Sequence, residues 1–249
     1  KLNRFRNFMH YNRTWLEEEG SEDSQGRTIW ALGAVLSTTY NPNVQGHVGT
    51  LFHQGLAIIP FLTHPRAISY ALLGVSQYLS KYPDQTEVRT ILENESARLY
   101  RFFENRITNS EWPWFNDLVT YGNNRIPEAF LSASAVLQNK QLADTGLQLL
   151  DWLIQKQFEH GYFSPIGNSA WLSPEQNSEF DQQPLEAYGM IDACLTAFKI
   201  SGDHKYKEYA QKAFDWFLGD NVHGVSLYDF STGGCRDGIH ATGLNKNQG

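Results

Sequence analysis

Four stretches of this 249-residue chain concentrate the side chains that can do chemistry, and in each the reactive groups are carboxylates set among amides, aromatics and glycines. The first is Ser21-Glu-Asp-Ser-Gln-Gly-Arg-Thr. Helix capping explains Ser24, and explains Glu22 and Asp23 beside Arg27 less well. The second runs from Glu111 to Glu128 and places Trp112, Trp114, Phe115, Tyr121, three asparagines, three carboxylates and Arg125 in 18 positions. The third leads from Gly161 through Trp171 to Phe180-Asp-Gln-Gln-Pro-Leu-Glu. There Asp181, Gln182 and Gln183 stand at the mouth of a helix, with Glu186 about one turn inside it; Asp192, deeper still, reads as one half of a salt bridge. The fourth, Ser231-Thr-Gly-Gly-Cys-Arg-Asp-Gly, contributes Arg236 and Asp237. Carboxylates of this kind suit glycosidic chemistry, which needs a proton donor for the leaving oxygen and a second carboxylate to activate water or attack. Aromatic faces stack on the apolar faces of sugar rings, while Asn, Arg and carboxylates take the hydroxyls.

Other chemistries find no footing. No HExxH or comparable His/Cys spacing is present, so no metal is expected. There is no Gly-x-Ser-x-Gly elbow, no phosphate-binding GxxxxGK[ST] and no Asp-rich magnesium motif, and no cofactor is expected. A net charge of −7 argues against nucleic acid as a partner. No apolar run approaches the roughly 18 residues that span a bilayer. Two cysteines, Cys194 and Cys235, make no disulfide framework, and a cytoplasmic location is expected from that usage. The chain opens at Lys1 without a signal peptide and stops inside a polar motif, so it reads as a piece of a longer polypeptide.

The elements that must position these residues are helical. From Tyr206 the apolar residues fall at Tyr209, Ala210, Ala213, Phe214 and Phe217, the stripe of an amphipathic helix. The spacing predicts two-faced helices over 4–19, 51–61, 87–106, 140–157 and 204–219. Between them lie segments apolar nearly all round, 27–40, 65–80, 124–138 and 183–200, which reads as enclosure by other helices. Nothing shows a convincing period of two, so the fold class is all-α. Connections leaving the enclosed helices are short, and those entering them (107–123, 158–182 and 220–247) are long and polar. In an up-down array alternate connections fall at one end, so the three long loops and 19–26 are expected to share a rim. Tyr100, Trp152 and Trp216 recur near helix ends at spacings of 52 and 64 residues, the interval of one helical hairpin plus a loop. Five hairpins are countable if a helix begins just beyond Gly249, and a sixth would close a ring.

The segments EDSQGRTIWALG (22–33), EWPWFNDLVTYGNNRIPEAF (111–130), FDQQPLEAYGMIDAC (180–194) and GGCRDGIHATGLNKNQG (233–249) together resemble bacterial domains of the six-hairpin glycosidase superfamily. They are similar in particular to the helical domain found with group-1 glycosyltransferases. The resemblance implies a single (α/α)6-type toroid over 1–249, incomplete at its C-terminus, with a carbohydrate-binding rim. It implies an oligosaccharide or glycan as substrate, and a glycosyltransferase domain as possible neighbour. The reading that combines it with the residues is a glycoside hydrolase working by inversion. Asp117 is the expected general acid, raised by desolvation among Trp-Pro-Trp-Phe. Asp181 or Asp237 is the expected base, with Asp23 in reserve. Asn124, Arg125, Glu128, Gln182, Gln183, Glu186 and Arg236 would bind substrate, and Trp112, Trp114 and Trp171 would form stacking walls. Two rivals stand beside it. One is a non-catalytic sugar-binding domain serving a glycosyltransferase. The other is a sugar epimerase, which would need facing bases from among His53, His160, His223 and His240.

Overall fold

Helices begin where the chain supplies a cap. In the computed structural model, which describes residues 4–104, 106–107 and 111–248, helix α1 spans Glu22–Thr38 and is capped by Ser21, whose hydroxyl accepts the Ser24 N–H at 3.2 Å. Helix α2, Pro42–Leu56, starts on Asn41, whose side chain accepts from Asn43, and on a proline that lacks the N–H no helix could use. A 3-10 turn follows at Ile59–Phe61. Helix α3, Pro65–Lys81, is capped by the ring of His64. Then come α4, Thr86–Phe103; α5, Arg125–Leu137; α6, Lys140–Gln157; α7, Pro184–Ser201; and α8, Lys205–Leu218. Helices α7 and α8 end on Gly202 and Gly219, both at positive φ, as left-handed C-caps require. The fold class is all-α as expected, apart from a three-residue antiparallel pair, β1 Gly238–His240 and β2 Gly243–Asn245, which the sequence reading had not anticipated.

The expected helix over 4–19 does not form. That segment folds back on itself through a bridge between Met9 and Trp15. Asn12 accepts hydrogen bonds from both the N–H and the hydroxyl of Thr14, a local turn that competes with a helix, and Arg13 takes φ 66°. The carboxamide of Gln25, in α1, holds Phe5 by both its N–H and its carbonyl, so backbone groups a helix would have paired are met by a side chain. Helix α1 also begins five residues before the expected start, because Ser21 supplies a cap there.

The chain divides into two units, Lys1–Phe102 with Ala129–Ala143, and Phe103–Glu128 with Asp144–Gly249. In the first, 13 of the 17 residues of α3 are buried, as its apolar pattern requires. It packs against α1 at a crossing made close by glycine on both sides: a Cβ on Gly33 would lie 2.1 Å from the Gly74 carbonyl oxygen, and one on Gly74 would lie 2.4 Å from that of Ile29. In the second unit, α8 buries Tyr206, Ala210 and Ala213 of the expected stripe together with Trp216, while Phe214, expected on that stripe, is exposed. Helix α7 departs from expectation. It buries Ala187, Gly189, Met190, Ala193, Cys194 and Ala197 on one side, while Leu185, Tyr188 and Leu195 are exposed on the other. The core of this unit is aromatic: Trp114 and Trp216 are fully buried, and Trp152 stacks on Trp114 and meets the edge of Trp112. Trp112 and Trp114 are therefore core residues and not sugar-stacking walls; the Pro between them and the Trp112 indole bond to the Asn116 carbonyl fold the loop inward.

Candidate active site

Within the second unit the three long loops are stitched together by backbone pairing, as the alternation of long connections requires. Val119 and Leu172 exchange N–H···O bonds of 2.8 and 3.1 Å, joining the loop before α5 to the loop before α7. Gln182 and Ile239 exchange two bonds of 3.0 Å, joining that loop to β1. A Cβ at Gly238 would lie 2.2 Å from the Gln182 carbonyl oxygen, so this approach depends on glycine.

The second bridge sets the chemistry. Pairing Gln182 with Ile239 makes Asp181 and His240 cross-strand neighbours, and their side chains meet, Asp181 Oδ1 to His240 Nδ1, at 2.5 Å. Asp181 does this from φ 60°, a left-handed conformation that costs free energy for any residue but glycine and that persists where surrounding contacts impose it. Both side chains keep solvent access, 37% for Asp181 and 48% for His240. With Nδ1 held, Nε2 of the imidazole is left to exchange a proton. The ring of His223 braces the same turn through the His240 carbonyl at 2.8 Å and stacks beneath Phe180. The same chain segments form a cleft of about 460 Å³ whose lining includes Gln183, Leu185, Cys235, Arg236, Asp237 and Asn245 but neither Asp181 nor His240. Trp171, also at positive φ, lies 6.2 Å from Tyr121 and supplies a partly exposed aromatic surface on the same loops.

The other expected residues fall differently. The Asp117 side chain is 78% exposed and paired with Arg106 at 3.0 Å, so the desolvation invoked for it is absent: the tryptophans turn into the core and leave it outside. Gln182 is buried and spent on structure, accepting the Trp216 indole N–H at 2.9 Å and donating to Ser164 and Glu179. Arg236 is tied to Asp229 and to the Lys246 carbonyl and shapes the cleft wall. Hydrogen bonds from the hydroxyl and N–H of Ser231 hold the Asp229 carboxyl far below the usual carboxylate range. Asp23 belongs to the first unit, where it pairs with Arg66 at 3.1 Å.

A second polar group links α5 and α7. Arg125 donates from Nη1 to Glu128 at 2.6 Å and to Asp192 at 2.8 Å, and its guanidinium lies 4.4 Å from the centre of the Tyr188 ring. Glu186 accepts the Gly122 N–H, and Asn124 donates to the Glu186 carbonyl, so the loop before α5 is fastened to the first turn of α7. Burial pushes the Glu128 carboxyl up to about 7 against the pull of Arg125, and Asp192, which shares the same guanidinium, adds to the rise. Arg125 itself, which burial alone would discharge, is held charged by the two carboxylates. Sequence reasoning named Arg125 and Glu128 as substrate-binding residues, not as an ion pair, and gave Asp192 its salt-bridge role; it missed Tyr188, whose only signal was its place one turn before Asp192.

Because the raised carboxyl keeps its proton in the folded state at pH values where the unfolded chain has lost it, Glu128 makes stability fall as pH rises from about 4.5 to about 7. Urea unfolding at pH 5 and pH 8 should show the Glu128→Gln variant losing less stability over this interval than the parent, by an amount on the order of 2 kcal/mol. Equal losses in the two proteins would mean that Glu128 is ionised throughout.

Among the described residues no group of three or more His, Cys, Asp or Glu could hold a metal ion, and no helix is long and apolar enough to cross a membrane. No family model and no curated protein matches the chain. Solved structures do. An unsaturated glucuronyl hydrolase specific for heparin aligns with a TM-score of 0.63 at 13% identity, over 92% of this chain and 67% of its own. A D-mannose isomerase aligns at 0.60 and 15% identity, over 88% of this chain and 63% of its own. A sugar epimerase from a ruminal bacterium aligns at 0.54 and 12% identity, over all of this chain and 87% of its own. The likeness shows the fold alone, an α/α toroid. The chain thus spans about two thirds of the first two proteins it matches.

Proposed function

We propose that this chain is a carbohydrate-active enzyme domain that performs general acid–base chemistry on a glycan at the loop rim of its second unit. The observation that carries the reading is the Asp181–His240 contact, a solvent-accessible carboxylate holding an imidazole on chain segments that also supply Gln183 and Asp237 to an open cleft. The fold is shared with proteins named as a hydrolase, an isomerase and an epimerase of sugars, which supports a sugar as the reactant.

In the hydrolytic form of the proposal, the Asp181–His240 pair takes a proton from the attacking water, and Asp237, on the cleft wall, donates to the leaving oxygen. Trp171 and Tyr121 face the sugar ring. A second reading is favoured by His240 itself: an imidazole oriented through Nδ1 also suits removal and return of a carbon-bound proton, the step of an epimerase or isomerase. Turnover of a glycan and monosaccharide panel in D2O separates the two. Hydrolysis produces new reducing ends without deuterium on carbon. Epimerisation or isomerisation preserves chain length and introduces deuterium, and would replace the hydrolytic form. Absence of turnover on every sugar would overturn both and leave a binding domain.

A further inference from the structure

The charged residues of segment 21–28 lie in the first unit, and the chemistry at the rim of the second leaves them unused. The two carboxylates among them are committed locally. Glu22 accepts the N–H groups of Thr63 and His64 at 2.7 and 2.8 Å and the Thr63 hydroxyl at 2.7 Å. Asp23 receives the Arg66 Nε on both oxygens, at 3.3 and 3.1 Å.

Arg27, one turn after Asp23, is held differently. It is an exposed residue of α1, yet its side chain is fixed: the guanidinium lies 4.8 Å from the centre of the Tyr70 ring, and Nη2 donates to the Tyr70 hydroxyl at 3.1 Å. Tyr70 belongs to α3 and is only 3% exposed, so the anchor is itself immobilised by the core. Among the described residues no carboxylate forms an ion pair with Arg27. Trp30, three residues further on the same side of α1 and partly exposed, stacks on the same Tyr70 ring at 5.7 Å with the planes 20° apart. One buried phenol thus fixes both a guanidinium and an indole at the solvent face of α1. The rotamer freedom an arginine gives up when it grips a ligand is already lost to Tyr70, which leaves a preorganised fork of donors. That fork matches the two oxygens of a carboxylate, and an aromatic face takes the apolar face of a ring.

We infer that Arg27 and Trp30 form a binding site for a carboxylate-bearing sugar, with the carboxylate on the Arg27 guanidinium and the sugar ring against the Trp30 indole. The groups that make the contacts are open to solvent, and the acids nearest in sequence are occupied elsewhere, so neither competes for the guanidinium. The inference does not rest on the activity proposed for the rim, since every residue of this site belongs to the first unit.

Titration of 15N-labelled protein with D-glucuronate, D-glucose and acetate at constant ionic strength, followed by NMR, tests it. Glucuronate is expected to shift the amides around Arg27, the Trp30 indole N–H and the Tyr70 amide saturably, and to do so equally in Asp181→Asn. Glucose, which lacks the carboxylate, and acetate, which lacks the ring, should each bind at least about tenfold more weakly. Arg27→Gln, at an exposed position, should weaken glucuronate binding at least about tenfold, equivalent to ~1.4 kcal/mol. Arg27→Lys keeps the charge but not the planar fork, and should weaken it in the same direction. The inference is overturned if glucuronate does not bind saturably, if both folded variants bind it as the parent does, or if glucose or acetate binds as tightly. It is equally overturned if the shifts centre on Asp181 and His240 and vanish in Asp181→Asn.

Discussion

Replacing Asp181 by asparagine is expected to lower kcat by about 10²–10⁴-fold, the contribution of a positioned acid–base group, with a much smaller change in KM. The substitution is chosen for what it preserves. Asparagine matches aspartate in size and, like it, tolerates the left-handed conformation that Asp181 adopts at φ 60°, so the turn carrying it is kept. What is lost is the negative charge on His240 Nδ1. An amide oxygen orients the ring less firmly and no longer stabilises the imidazolium that forms when Nε2 takes a proton; an amide nitrogen would impose the other tautomer. His240→Gln should cost a similar factor, and the double variant little more than either single one, because two groups acting as a unit lose the same function once. Steady-state kinetics on whichever sugar is turned over, with circular dichroism as a check of folding, decides the matter. A kcat within about twofold of the parent would remove the pair from the mechanism, since a positioned general base contributes far more.

The parts of this molecule that were legible in the sequence are those set by neighbours in the chain. Tyr206, Ala210 and Ala213 of the α8 stripe are buried as its period demands, although Phe214 faces out and Trp216 takes its place in the core, and α3 is buried nearly all round as its composition demands. Segment 4–19 misled because its apolar residues fall at helical spacing while Asn12 and Thr14 form a turn, and a periodic pattern does not weigh that competition. The site was legible in residue types more than in roles. Asp181 was singled out for its place at a helix mouth, yet its partner comes from 59 residues away and is brought there by a two-residue bridge. Pairing between loops has no local signature, so His240 stood only as one histidine among several. The tryptophans show the reverse error. A cluster of aromatics and acids reads as a sugar platform, but the larger gain in free energy comes from burying Trp112 and Trp114 against Trp152, and that turns Asp117 outward.

The largest expected effect on stability comes from a methyl group. Gly74→Ala in α3 should destabilise the protein by about 3 kcal/mol or more, at the upper end of overpacking substitutions. The new Cβ would lie 2.4 Å from the carbonyl oxygen of Ile29 and 2.6 Å from the Cα of Trp30. These are backbone atoms of α1, so no rotamer change relieves the clash and the two helices must separate. Separation would also disturb the stack of Trp30 on Tyr70, at 5.7 Å, and the Arg27 guanidinium over the same Tyr70 ring at 4.8 Å, both of which span the two helices. Gly33→Ala should act in the same direction, since its Cβ would meet the Gly74 backbone from the opposite side. Gly46→Ala supplies the contrast. It lies inside α2, a Cβ there meets nothing within 4 Å, and alanine gains about 0.5–1 kcal/mol over glycine in a helix interior, so this variant should be slightly more stable than the parent. Urea unfolding of the three variants reads the sign directly. A loss below about 1 kcal/mol for Gly74→Ala would mean that α1 and α3 do not cross at backbone contact, because side-chain adjustment alone would then have absorbed the methyl group.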